Sequence, residues 1–79
     1  MRIVQETYQH PTQASLVRLN VYENPQGGYL VTEDRVGSST VVATLGVFVD
    51  RDSAVARVRS RSEELILQRY RPVARAAQA

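Results

Sequence analysis

The chain has 79 residues, no cysteine, no tryptophan, a single histidine and a formal net charge of +2. That length fits one small domain with a thin stability margin and little interior to hollow into a deep pocket. The missing cysteines exclude disulfides, thiolate metal sites and cysteine nucleophiles, and His10 alone cannot form a histidine cluster. A composition of 43% hydrophobic and 23% charged residues is that of a globular chain, not a disordered one. The expectation is a non-enzymatic protein without cofactor or metal.

Met1 to Glu6 places an acid where a secretory leader needs an apolar run, and the uninterrupted apolar stretches are short. A cytoplasmic protein with no membrane contact is expected. Every basic residue is arginine, and the charge is uneven. Residues 1–50 hold three arginines against five acids, and residues 51–79 hold seven arginines against three.

Arg2 to Tyr8 reads as a short strand that breaks at His10-Pro11. From Leu16 to Glu23, Val17, Leu19 and Val21 alternate with Arg18 and Asn20, the period of a half-buried strand. Asn24-Pro25-Gln26-Gly27-Gly28 is a hairpin turn. Tyr29 to Val36 continues as a strand, Gly37-Ser38-Ser39 turns, and the β-branched run Thr40 to Val49 forms a fourth strand. Strict alternation there puts Val41, Ala43, Leu45 and Val47 on one face and Val42, Thr44, Gly46 and Phe48 on the other, with Phe48 in the core.

Asp50 is placed to cap a helix, with Asp52 in its first turn. Ala54, Val55, Val58, Leu65 and Ile66 form its apolar stripe, with a polar break near Ser62. Arg57, Arg61 and Glu64 are expected to face solvent. The helix should run from about Arg51 to Arg69 or Tyr70, before Pro72. The fold expected is α+β, a four-stranded antiparallel sheet with one C-terminal helix on one face. Residues 1–73 make one domain and residues 74–79 a flexible tail.

With the elements placed, Arg35-Val36-Gly37-Ser38-Ser39, Phe48-Val49-Asp50-Arg51-Asp52-Ser53-Ala54-Val55 and Arg69-Tyr70-Arg71-Pro72-Val73 follow one another in an order and spacing that resemble the WGR domain family. The N-terminal strand and hairpin are similar to its short bacterial members. In that family a strand ends in a Trp-Gly-Arg motif, a second strand runs to a Phe, and a capped helix closes near a Gly-Tyr. Here Glu33-Asp34 occupy the positions of the Trp and Gly, Arg35 that of the Arg, and Arg69 that of the Gly before the Tyr. The resemblance implies a module that contacts DNA ends or assists a DNA-acting partner, with Arg35 as a phosphate ligand.

From the residues themselves, Arg18 can join Arg35 on a basic sheet face, and Arg69, Arg71 and Arg75 can gather beyond the helix end, because guanidinium groups fork onto phosphate oxygens. The plainer alternatives are an ion pair of Arg35 with Glu33 or Glu23, and arginines placed at a helix C-terminus by its dipole. Tyr8, Tyr22, Tyr29 and Tyr70 fit cross-strand packing better than base stacking. His10 reads as an exposed loop residue.

Three readings follow. The first is a small module that associates with nucleic acid through Arg18, Arg35, Arg69, Arg71 and Arg75, or with a DNA-acting partner. The second is a protein-interaction scaffold that has lost DNA contact, because carboxylates at Glu33 and Asp34 repel phosphate. The third is self-association through the third or fourth strand. The first is preferred, as a monomer.

Overall fold

The computed structural model describes residues 1–37 and 40–73. Ser38 and Ser39 of the expected turn, the tail 74–79 and Arg75 within it lie outside the described residues.

Strands β1 (Arg2–Gln9), β2 (Leu16–Glu23), β3 (Tyr29–Val36) and β4 (Thr40–Phe48) form an antiparallel meander, followed by helix α1 (Arg51–Leu67). The chain then adds a fifth strand that the sequence reading lacks, β5 (Arg71–Pro72), beside β1, so the sheet order is β4-β3-β2-β1-β5. Two residues containing a proline carry no readable alternation. Pairing of Tyr8 with Pro72 and the bond from the Val73 N–H to the Thr7 carbonyl fix the segment. Val73 is therefore tied to the sheet edge at β1.

Alternation in β2 works as expected: Val17, Leu19 and Val21 are fully buried under α1. Val31, Ala54, Val58 and Leu65 meet them, with Tyr8 and Tyr70 closing the end near β5. Burying each such valine or leucine contributes about 1.5–3 kcal/mol, so this short row supplies most of the cohesion. Phe48 packs against its edge.

Strict alternation fails in β4. Val31 pairs with Gly46 but Thr32 pairs with Thr44, so Leu45 is the extra residue of a β-bulge. Val41, Ala43, Gly46 and Phe48 therefore share the helix side, and Val42, Thr44 and Val47 the other. The bulge is tied to the packing: a Cβ on Gly46 would lie 2.8 Å from the Phe48 ring, which folds back over it.

At the helix start the Asp50 carboxylate accepts the Ser53 N–H at 2.7 Å, the expected cap. At its end the Tyr70 N–H donates to the Leu65 carbonyl and the Arg69 N–H to that of Ile66, a Schellman closure with Leu65 and Tyr70 in apolar contact across it. This stops the helix at Leu67, two to three residues before the expected end, and puts Arg69 at φ 74°, a left-handed position that glycine fills most easily.

The helix stripe also differs from expectation. Arg61 and Ser62 face the sheet, and Ile66 is about half exposed. Ser62 is no break in the stripe, because its Oγ lies 2.6 Å from the Tyr8 hydroxyl, which donates to Glu6 at 2.6 Å. Burial, then the Glu6 carboxylate, raise the Tyr8 hydroxyl pKa. No helix among the described residues is long and apolar enough to cross a membrane.

Candidate functional site

The sheet has one face under α1 and one without a covering layer among the described residues, and the strand register sorts its charges between them. Paired residues share a face and neighbours along a strand alternate. The helix side holds Glu6, Glu23, Glu33 and Arg35; the open side holds Arg2, Arg18, Arg71 and Asp34.

On the helix side the charges are consumed. The Glu33 carboxylate is buried and receives Arg61 in a two-pronged hydrogen bond, Nε at 2.6 Å and Nη2 at 3.2 Å. Arg35 approaches the same carboxylate at 3.6 Å. Glu64 draws on Arg61 at 3.8 Å and Arg57 at 3.9 Å, and the Arg57 Nε–H also donates to the Leu45 carbonyl. Burial pushes the Glu33 pKa up, but the hydrogen bonds and charge of Arg61, joined by Arg35, outweigh it and hold the carboxyl below its ordinary value. The Arg61 guanidinium pKa is raised by the same pair. Arg61 is thus a largely buried residue with 16% of its side chain exposed, not the solvent-facing charge expected from its spacing.

The open side consists of rows across the strands. Gln9, Leu16, Val36 and Thr40 make the first, with Arg71 beside Gln9. Thr7, Arg18, Asp34 and Val42 make the second; Gln5, Asn20, Thr32 and Thr44 the third; Arg2, Tyr22, Leu30 and Val47 the fourth. Asn20 is fully buried at the centre, where its Oδ1 accepts from Gln5 and its Nδ2 donates to Thr32 and to the Asp34 carboxylate. Asp34 therefore spends itself on Asn20. Arg18, its register partner, has a buried Nε without a hydrogen-bond partner among the described residues. Arg2, Arg18 and Arg71 are in no ion pair among the described residues.

Of the five candidate arginines, the four among the described residues do not share one face. Arg18 and Arg71 share the open face, Arg35 lies on the helix side against Glu33, Arg69 sits exposed in the helix closure, and Arg75 is outside the described residues. Arg2 joins Arg18 and Arg71, because a register shift between Arg2 and Val4 pairs it with Tyr22. No alternation from Tyr8 backwards could place it, since the bulge inverts the parity. Glu33 and Asp34, read together as a barrier to phosphate, point to opposite faces, and each is engaged within the protein. The outer helix surface offers no counterpart: exposed Arg51 and Arg59 share it with Asp52 and Glu63.

The His10 loop is built more firmly than an exposed histidine implies. Its Nδ1 accepts the N–H groups of Thr12 and Gln13, and its ring meets Tyr70 edge to face at 5.1 Å. The Tyr70 hydroxyl donates to Gln13, so the loop is pinned beside Arg71 at the β5 edge. Among the described residues no cluster of three or more His, Cys, Asp or Glu could hold a metal ion.

Comparison of the chain with protein-family models, with curated proteins and with solved structures returned no match.

Proposed function

We propose that the chain is a small non-enzymatic module that associates with nucleic acid through the open face of its sheet. One observation carries this reading: among the described residues Arg2, Arg18 and Arg71 share that face with a single carboxylate, Asp34, which is already engaged by Asn20, while Arg35, Arg57 and Arg61 are tied to Glu33 and Glu64. Net positive charge on a broad, polar surface with amide and hydroxyl groups between the guanidinium groups suits a phosphate backbone, and backbone contact needs no deep pocket. The phosphate-binding role that a WGR-like arrangement assigns to Arg35 moves, on this reading, to Arg18 and Arg71. The WGR-like order of elements agrees with a nucleic-acid role but does not carry it.

Fluorescence anisotropy of labelled duplex and single-stranded oligonucleotides, taken over a range of salt, tests the proposal. Three phosphate contacts give a slope of log K against log salt of about −2.7 on a duplex, and removing one guanidinium shallows it by about 0.9. Arg18→Ala and Arg71→Ala should each do so and Arg35→Ala should not. Binding that survives the loss of both Arg18 and Arg71 would refute the assignment.

A protein-interaction scaffold is the second reading, favoured by the exposed valines of β4, Val41, Val42 and Val47. It predicts a partner whose binding hardly responds to salt.

A further inference from the structure

We infer that β4 is a self-pairing edge, through which two copies of this chain join their sheets antiparallel about a two-fold axis at Val42. The two edges of the sheet are built differently. At one edge, β5 with Pro72 covers the end of β1, and the rest of β1 carries Arg2 and Glu6. Proline, charge and a covering segment are the usual means of stopping strand addition. At the other edge, Thr40–Phe48 has neither proline nor charge. Every second residue of an edge strand directs its N–H and C=O away from its neighbour, so β4 presents a ladder of unsatisfied donors and acceptors. Val41 and Val42 beside that ladder are 58% and 63% exposed.

The occupant follows from the strand's symmetry and charge. Antiparallel pairing centred on Val42 puts Val42 opposite Val42 and Thr40 opposite Thr44 on the open side, and Val41 opposite Ala43 on the helix side. Each is a favourable or neutral cross-strand pair, and a threonine pair also supplies a hydrogen bond. Apart from Arg57, whose Nε–H reaches the Leu45 carbonyl beyond the paired run, the nearest charges are Arg35 and Asp34, one strand inward, opposite Val41 and Val42. Three strand spacings separate each from its symmetry mate, about 14 Å, which is beyond the Debye length of about 8 Å at physiological salt. Self-pairing thus meets no repulsion. The chain's own C-terminal segment is an unsuitable occupant, because Val73 leaves from the β5 edge, across the whole sheet.

The same features limit the assembly. The Leu45 bulge ends the regular run, so pairing covers Thr40 to Thr44 and the interface falls at the small end, below about 1,200 Å². The guarded β1 edge cannot take a further copy, so growth closes at two. A two-fold normal to the sheet brings both open faces to the same side, with Arg2, Arg18 and Arg71 of each copy away from the seam, on β1, β2 and β5. The pairing itself draws no contact from Arg18 or Arg71.

Sedimentation equilibrium and ¹H–¹⁵N spectra of the full chain, from micromolar to millimolar protein, test the inference. The expected result is a weak monomer–dimer equilibrium. Amide shifts and slowed hydrogen exchange should be confined to residues 40–44, and Val42→Lys should weaken association about tenfold by setting like charges opposite each other without changing the spectra of β1 and β2. A monomer throughout the range would overturn it, as would concentration-dependent shifts centred on Arg18 and Thr32, or assemblies that grow past two. If Val42→Lys does not fold, the shift map of the unsubstituted protein decides alone.

Discussion

The two faces of one sheet use the same residue types to different ends. Under the helix, Glu33 is paired with Arg61 at contact distance and approached by Arg35. On the open side, Arg2, Arg18 and Arg71 are in no ion pair among the described residues, and the one carboxylate described there is turned to a buried asparagine. A count along the chain calls the first 50 residues acidic and the last 29 basic. The fold redistributes that balance by face: Glu33 of the sheet meets Arg61 of the helix, and among the described residues the open side keeps a surplus of two positive charges. Arginine is a structural cation on one side and an available one on the other.

That contrast is most easily broken at Arg61. Its removal leaves Glu33 buried without its main partner, which costs about 3 kcal/mol, a large share of the 5–15 kcal/mol a domain possesses. Arg61→Ala should lower the urea midpoint far more than Arg18→Ala, whose effect on stability should stay within about 1 kcal/mol. Equal losses would erase the distinction between the faces.

Acid should act on the same pair. The folded-state pKa of Glu33 is depressed, so its contribution to stability is present above the ordinary carboxylate range and is lost as the pH falls through the lowered folded value. Urea titrations over the acid range should show this slope in the parent chain and a shallower one in Arg61→Ala. Unchanged acid sensitivity in the variant would place the titrating group elsewhere.

The smallest effect is expected at the helix closure. Arg69 occupies a left-handed conformation that costs an L-residue about 1 kcal/mol, so Arg69→Gly should raise thermal stability slightly while leaving oligonucleotide binding intact. A loss of binding in that variant would draw the functional surface toward the helix end.

Much of this was legible in the chain. The limits of β2 and β3, the Asp50 cap and the buried row Val17, Leu19, Val21 follow from alternation and capping chemistry, which are local. What escaped reading depends on distant partners. Arg61 is largely buried because Glu33 lies 28 residues away across the sheet. A bulge at Leu45 reverses parity without a signal beyond a glycine, and β5 exists because β1 receives it. Of the candidate site, Arg18 was visible as the outward residue of a clear alternation. Arg71 was grouped with Arg69 and Arg75 and not with Arg18, because spacing along a chain does not reveal which face a two-residue strand presents.

The most direct test of the charge separation is a ¹H–¹⁵N titration of the protein with short duplex and single-stranded oligonucleotides at low and moderate salt. Shifts that weaken with salt and cluster at Thr7, Arg18, Asn20, Thr32 and Arg71 are the result expected of an available open face. Shifts clustered at Arg35, Arg57 and Arg61, or no shifts at low salt, would contradict it.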